Sequence, residues 1–480
     1  ALKATTSLTG KNTEEWLLPS PRHGGEGAGS LYLRLGAMLF GCAGIVLYGL
    51  EMFLCLRESS CQNIVFADQL LAALFTFIQM HFIFTNSKIS ICRARLICKL
   101  GFMHLTAANL WTWFRFVVVK QQAKTEKKKL LETLETTTIL DSSSSNEDSS
   151  ESREDGGDYR SEDIFDFMSG GVASMLKAAT STETTAETTT ANATSNVFIL
   201  PSIQYFGDLA MFLTTCLVEF ALIGAAVTFI IWRSIGHCEA ETKRRRSDSS
   251  DTFGRRKYKM RIDCSSSSTG LFAGLIFLIA ACIAMGVYTV FDSLHNCDKA
   301  RLVFGLFDLT MFLSSLLACI CGLYRMRHLQ YTGHARGETL DEILLVVGLI
   351  GELVYCSCEI DVFITRREDF GTMPVYVFVT YLVRLVQVTV QAIFILMSFR
   401  LHVDQEKGGT PGVPGKQFVT FLLVANATLF IFHIYEGMKQ GFGHEMAVGS
   451  SHMIIIYAVT PLIVFYRFHS SVCLAEIWKH

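Results

Sequence analysis

Apolar residues along this chain are gathered into long unbroken runs, and charge is confined to short blocks between them. Ten runs stand out, at about 31–56, 65–84, 97–119, 203–232, 270–292, 299–324, 338–360, 373–398, 416–436 and 450–468. Each holds about 20 or more mostly apolar residues, enough for one helix to cross a bilayer. None shows the strict alternation of a membrane strand. A spanning segment must satisfy its own backbone hydrogen bonds, so the runs predict helices. The expected fold is an all-α polytopic membrane protein with ten transmembrane helices in this chain. The first run is no signal peptide, being too long and carrying Arg34 and Glu51.

Lys and Arg set the orientation, because they accumulate on the cytoplasmic side. Lys88, Arg93, Arg95 and Lys99 follow the second run, Lys243 to Arg246 with Arg255, Arg256 and Lys257 follow the fourth, and Arg325 and Arg327 follow the sixth. Residues 1–30 are then a cytoplasmic segment, 31–119 and 203–232 the helices of an N-terminal half, and 120–202 an external loop. Residues 233–269 form a basic cytoplasmic linker, and 270–480 a six-helix C-terminal half. The stretch 141–166 holds ten acidic residues and two Arg, a composition that favours disorder. Asn192 heads a glycosylation sequon in that loop. A second sequon at Asn426 lies inside a span and is rejected.

Spans one to three resemble spans seven to nine. Gly41, Gly44 and Tyr48 repeat the spacing of Gly348, Gly351 and Tyr355, LFTFIQMHFIF around Gln79 resembles VQVTVQAIFIL around Gln391, and AANLW around Asn109 resembles VANAT around Asn426. The matched spans are six apart, an even number, so they share one orientation. Two parallel pseudo-symmetric six-helix halves follow, with two further helices expected upstream and twelve in the full protein.

Composition adds exclusions. Charged residues are 18% of the chain and mean hydropathy is +0.35, against about 25% charge in soluble domains. A net charge of −2 leaves no nucleic-acid footprint. Most of the 15 Cys, such as Cys42, Cys216, Cys282, Cys319 and Cys321, sit inside apolar runs and read as packing residues rather than bridges. No zinc-ligand spacing and no glycine-loop, HExxH or GxSxG pattern in its required context occurs, so neither a cofactor nor an enzyme is expected.

Charge at membrane depth costs at least ~2.5 kcal/mol, so residues placed there are functional candidates. They include Glu51, His81, His104, Glu219, Glu352, Glu359, Arg384, His433, Glu436 and His452, with neutral partners Gln79, Asn109, Gln387, Gln391 and Asn426. Glu352 and Glu359 are seven apart, as are Asn426 and His433, while Gln387 and Gln391 are four apart, so each pair shares a helix face. Carboxylates and imidazoles exchange protons, and amides order water. A file of these groups suits protons better than hydrated metal ions, and no potassium-filter sequence occurs. Arg384 reads as a counter-ion for Glu352 or Glu359. Glu51, Glu359 and Glu436 stand near span ends.

The closing segment PLIVFYRFHSSVCLAEIW (461–478) resembles that of the otopetrins. LDEILLVVGLIGELVY, VRLVQVTVQAIFIL, FVTFLLVANATLFIFHIYE and VEFALIGAAVTFIIW agree with it, and the resemblance covers about 31–480 apart from the external loop. It implies a proton-selective channel of the plasma membrane, opened by external acid, blocked by zinc and assembled as a homodimer in a sterol-containing bilayer. It further implies that Glu219 and Glu352 are transient proton acceptors, that His104 and His433 tune the response to pH, and that Gln79, Asn109, Gln391 and Asn426 order water at constrictions. External His295 and His444 are candidates for zinc or pH sensing. Arg467 and His469 belong to the terminal motif as structural or gate residues. His433 departs from the family pattern, which more often has an acid there. The alternative reading is a proton-coupled secondary transporter, and a third is a membrane scaffold with structural polar residues.

Overall fold

A computed structural model describes residues 22–23, 30–57, 61–86, 89–91, 94–144, 201–235, 268–294, 296–327, 329–331, 339–365, 375–402, 415–438 and 452–479, with side chains in the third of the long helices placed as far as Ala123. Among these residues lie ten helices: α1 Leu31–Arg57, α2 Asn63–Asn86, α3 Arg95–Ser144, α4 Pro201–Ser234, α5 Ser268–Ser293, α6 Cys297–Met326, α7 Thr339–Thr365, α8 Val375–Ser398, α9 Lys416–Met438 and α10 Met453–Lys479. Two short antiparallel ribbons complete the described structure. β1 Arg22–His23 pairs with β2 Ile89–Ser90, and β3 Gln330–Tyr331 pairs with β4 Leu401–His402. Two compact units are formed, 1–124 with 199–480 in one and 125–198 in the other. Of the second, only the end of α3 is described.

Nine of the helices are long and apolar enough to cross a membrane, and the chain is a multi-pass membrane protein. The tenth, α3, is not among them, which corrects the expectation of ten. Its apolar stretch is diluted by His104, Thr106, Asn109, Thr112 and Arg115. Two other expectations change. The loop expected from residue 120 begins later, because KQQAKTEKKKLLETLETTTIL is rich in strong helix formers and continues α3 to Ser144. The last helix runs to Lys479 rather than 468, since nothing after His469 breaks it. Cys55 and Cys61 are disulfide-bonded, closing the short connection between α1 and α2, a bridge at the edge of a run that the reading of cysteines inside the runs did not address.

The last six helices form a closed ring, in which α5 packs on α6, α6 on α8, α8 on α7, α7 on α10, α10 on α9 and α9 back on α5. Small residues permit the close approaches. A Cβ on Gly270 would collide with the backbone carbonyl of Gln417, and one on Gly274 with Val424, so these two glycines seat α5 against α9. Phe304 of α6 stacks on Phe432 of α9 at 4.3 Å. Outward side chains of α5, including Leu271, Phe272, Ile276, Ile279 and Ile283, are exposed, as suits a lipid-facing surface.

In the remaining group, α1 packs on α2 and α4. Thr106 of α3 hydrogen-bonds Thr228 of α4 at 3.0 Å. Phe40 of α1 meets Phe468 of α10 at 4.7 Å and Phe430 of α9 at 6.0 Å, docking the group on the ring. Helix α4 is largely buried from Ala210 to Thr228 and kinks at Gly207, whose φ of 47° favours glycine.

The sequence repeat reappears as repeated geometry. Gly41 and Gly44 of α1 receive Phe220 and Leu217 of α4, and Gly348 and Gly351 of α7 receive Tyr466 and Leu462 of α10. β2 and β4 are separated by the same interval as Gln79 and Gln391. Each ribbon joins the segment before one helix of a matched pair, α1 or α7, to the segment after the next, α2 or α8.

Candidate functional site

Inside the ring runs a file of buried polar side chains. Glu352 of α7 stands at its centre. Its Oε2 accepts a hydrogen bond from Arg384 Nε of α8 at 2.9 Å, and its Oε1 lies 3.1 Å from Arg467 Nη2 of α10. These side chains are 0–2% exposed. Arg467 Nη1 donates to Gln387 at 3.0 Å, Gln387 donates to Gln391 at 2.8 Å, and Gln391 donates to Asn426 of α9 at 2.8 Å. Asn426 returns a bond to Gln391 at 3.1 Å and donates to the Leu422 carbonyl at 2.8 Å. Buried ions persist when paired, and here all three are paired. Arg384 Nη2 and Arg467 Nε are nonetheless buried without a hydrogen-bond partner.

Aromatic rings fix the guanidiniums. Both sit against Phe312 of α6, Arg384 at 5.2 Å and Arg467 at 5.1 Å from its centroid. Arg384 also faces Tyr355 at 5.0 Å, and Arg467 faces Tyr466 at 5.2 Å. Each contact adds a cation–π attraction in a site closed to water. The Tyr466 hydroxyl donates to the Val388 carbonyl at 2.8 Å, tying α10 to α8 beside Gln387.

Acidic residues occupy the layer toward the Thr365 end of α7. Glu359 lies two turns beyond Glu352, about 10 Å along the helix. Glu436 and His433 project from α9, with His433 Nδ1 4.0 Å from Glu436 Oε2. His433 is buried, and neither of its ring nitrogens makes a hydrogen bond. Asp308, one turn from Phe312 on α6, carries a buried Oδ1 with no hydrogen-bond partner. From one end to the other, the ring interior therefore runs from carboxylates, through the arginine and Glu352 layer, to amides.

The α1–α4 group repeats only part of this. Gln79 of α2 and Asn109 of α3 converge on Gly224 of α4, which has no side chain to keep them away. Gln79 and Asn109 correspond to Gln391 and Asn426. The Asn109 amide donates to the Leu105 carbonyl at 2.8 Å, as Asn426 does one turn back on α9. Glu219 is 1% exposed, and neither carboxylate oxygen has a hydrogen-bond partner. Lys120 acts on it electrostatically and donates to Thr215, one turn away, at 2.6 Å. No hydrogen bond joins Glu219 to either amide.

Other candidates fall elsewhere. His104 and His81 are exposed on their helices, apart from the buried polar groups. His104, a candidate for tuning the response to pH, therefore stands apart from Asn109. The two are five residues apart, about 140° around a helix, so they cannot share a face. Buried His469 bonds the Asp341 carbonyl at 2.8 Å and stacks on Phe465 at 5.5 Å, fastening α10 to the first turn of α7. Buried Glu51 accepts from the Ser202 backbone N–H at 3.1 Å, capping the start of α4. His295, His444 and Asn192 lie outside the described residues.

Sequence reasoning missed Asp308 and Phe312. Asp308 had a signal, an acid ten residues into a span. Phe312 had none, being one of 36 Phe in the chain. Among the described residues no cluster of three or more His, Cys, Asp or Glu could hold a metal ion.

Comparison with known proteins gives the family. A family model described as otopetrin matches residues 32–468. The proton channel OtopLc of Drosophila melanogaster is 29% identical over 463 residues, which make up 94% of this chain and 28% of that protein.

Proposed function

The chain belongs to the otopetrin family, and from that premise we propose that it is a proton channel of the plasma membrane. This is a family of channels, not of enzymes. The observation that carries the reading is the polar file inside a ring of apolar helices, joined by hydrogen bonds and ion pairs from Arg384 to Asn426. Buried groups of this kind are costly in a membrane and mark ion or proton pathways. The matched glycine contacts and ribbons support two parallel halves, each carrying a Gln–Asn pair. Protons enter the second half at Asp308, Glu359, Glu436 and His433, and pass Glu352 to the amides. In the first half Glu219 is the acceptor, and Gln79 and Asn109 order water. Arg384 and Arg467 hold Glu352 in place.

The carboxylate layer faces outside, by the Lys and Arg rule. The Cys55–Cys61 bond supports this orientation, because it closes a connection assigned to the oxidising side. The wider reading includes opening by external acid, a homodimer, a sterol-containing bilayer, zinc block at His295 and His444, and a glycan on Asn192. Those features rest on family and sequence alone.

The test is whole-cell current from the full-length protein while external pH is stepped down. The expected reversal potential follows the proton gradient and ignores sodium, potassium and chloride replacement. Glu219→Gln is expected to reduce the current at unchanged surface expression. Absence of acid-evoked current from protein at the surface overturns the reading. Flux that requires a second substrate in fixed stoichiometry replaces it with a proton-coupled transporter.

A further inference from the structure

We infer that Arg384 and Arg467, both seated on Phe312 and sharing the carboxylate of Glu352, form a fixed charge barrier that excludes metal cations from the second half. The inference rests on the channel reading and supplies its selectivity. Guanidinium groups keep their proton at any physiological pH, so the two charges are permanent. They are pinned by aromatic rings and by Glu352, and cannot swing aside without leaving those contacts. The groups facing them from the outer side are Asp308, Glu359, Glu436 and His433. On the inner side stand neutral Gln387, Gln391, Asn426 and Tyr466. A cation drawn in by the outer carboxylates therefore meets a layer of two positive charges and one negative.

The same layer offers a metal ion no ligands. Both oxygens of Glu352 are turned to guanidiniums. The amide oxygen of Gln387 accepts from Arg467, that of Gln391 from Gln387 and Asn426, and that of Asn426 from Gln391. A dehydrated cation needs about six oxygen ligands, and the amide oxygens of this layer already accept hydrogen bonds while both Glu352 oxygens are held against arginines. A proton needs none. It bonds covalently to one carboxylate oxygen or one water and is passed on. Glu352 thus lets the layer accept a proton while the arginines repel a cation.

The repeat sharpens the point. Ile45 corresponds to Glu352 and Ala72 to Arg384, by the spacing from the matched glycines and glutamines. The partners of those glycines align Arg467 with Ala221 or Leu222. The first half keeps the amide pair but not the charges, so the charged layer is no requirement of the fold.

The experiment measures sodium permeability relative to protons in the full-length protein, by reversal potential at symmetric pH, with surface protein quantified. Gln387→Glu places a carboxylate beside Arg467 without changing volume, and Arg467→Gln removes one charge. Both are expected to raise relative sodium permeability by at least about tenfold, a barrier change that one unit charge readily supplies in a low-dielectric site. Arg467→Lys keeps the charge and is expected to stay selective. Undiminished exclusion of sodium by Gln387→Glu at the surface overturns the barrier, whatever the fate of Arg467→Gln. A leak in Arg467→Lys equal to that in Arg467→Gln also overturns it, by showing a hole rather than a charge effect. Loss of proton current in the unmodified protein is a different result and removes the channel reading itself.

Discussion

Replacing Glu352 with Gln removes one charge from a site where three are buried together. The carboxylate lies 2.9 Å from Arg384 and 3.1 Å from Arg467. At an effective dielectric of about 20, each such pair attracts by about 5–6 kcal/mol. Much of that offsets the desolvation of the ions. What counts for the substitution is that two guanidiniums are left against one phenyl ring with no negative charge between them. Breaking a buried pair in this way costs about 3–5 kcal/mol. The assay is thermal denaturation of the purified full-length protein, with surface expression in cells as a second readout. The double variant Glu352→Gln with Arg467→Gln is expected to lose less than the sum of its parts, because it also removes one of the stranded charges. A Glu352→Gln protein within about 0.5 kcal/mol of the parent would refute the argument, since that is the size of an indifferent surface change.

Gly224→Ala is expected to lower the acid-evoked current with little change in stability, because its methyl meets the flexible ends of Gln79 and Asn109; unchanged current would separate the amide pair from conduction. Gly270→Ala should destabilise by about 1–3 kcal/mol through its clash with the Gln417 backbone. Gly286→Ala, which meets nothing, should be neutral or gain up to about 1 kcal/mol in the same melting assay. A membrane-impermeant maleimide applied to intact cells is expected to label Cys55 and Cys61 only after mild reduction; labelling that requires permeabilised cells would invert the assigned orientation.

The helices were legible because a bilayer leaves few alternatives to a run of apolar residues. The exceptions have physical causes. The extension of α3 is polar, and a membrane reading looks for apolar runs rather than for the helix propensity of Lys, Glu and Leu. The Cys55–Cys61 bond joins two residues six apart at the edge of a span, whereas the cysteines weighed from sequence were those inside spans. At the site, spacing alone placed Gln387 beside Gln391. It also proposed Arg384 as counter-ion to Glu352 or Glu359, and the structure selects Glu352. Arg467 belonged to a terminal motif, and its pairing with Glu352 crosses more than a hundred residues of chain. The separation of His104 from Asn109 was legible too, since a five-residue step turns it to another face.

The two halves also differ in a way that separates fold from function. Glycines on α1 and α7 receive bulky residues of α4 and α10 in both, and an Asn bonds the carbonyl one turn back in both. These shared features set how helices pack and where an amide pair stands. Glu352, Arg384 and Arg467 have apolar counterparts in the first half, and Glu219, five residues before Gly224, corresponds to an apolar part of α10. Charge has thus been placed independently in each half on a common frame. Buried charge does not stabilise a bundle better than well-packed apolar residues would. The apolar counterparts of Glu352, Arg384 and Arg467 fit that view. In each half, then, the differing positions rather than the repeated ones are where conduction properties should diverge. Substitutions at Glu219 and at Glu352 are accordingly expected to change different components of one current.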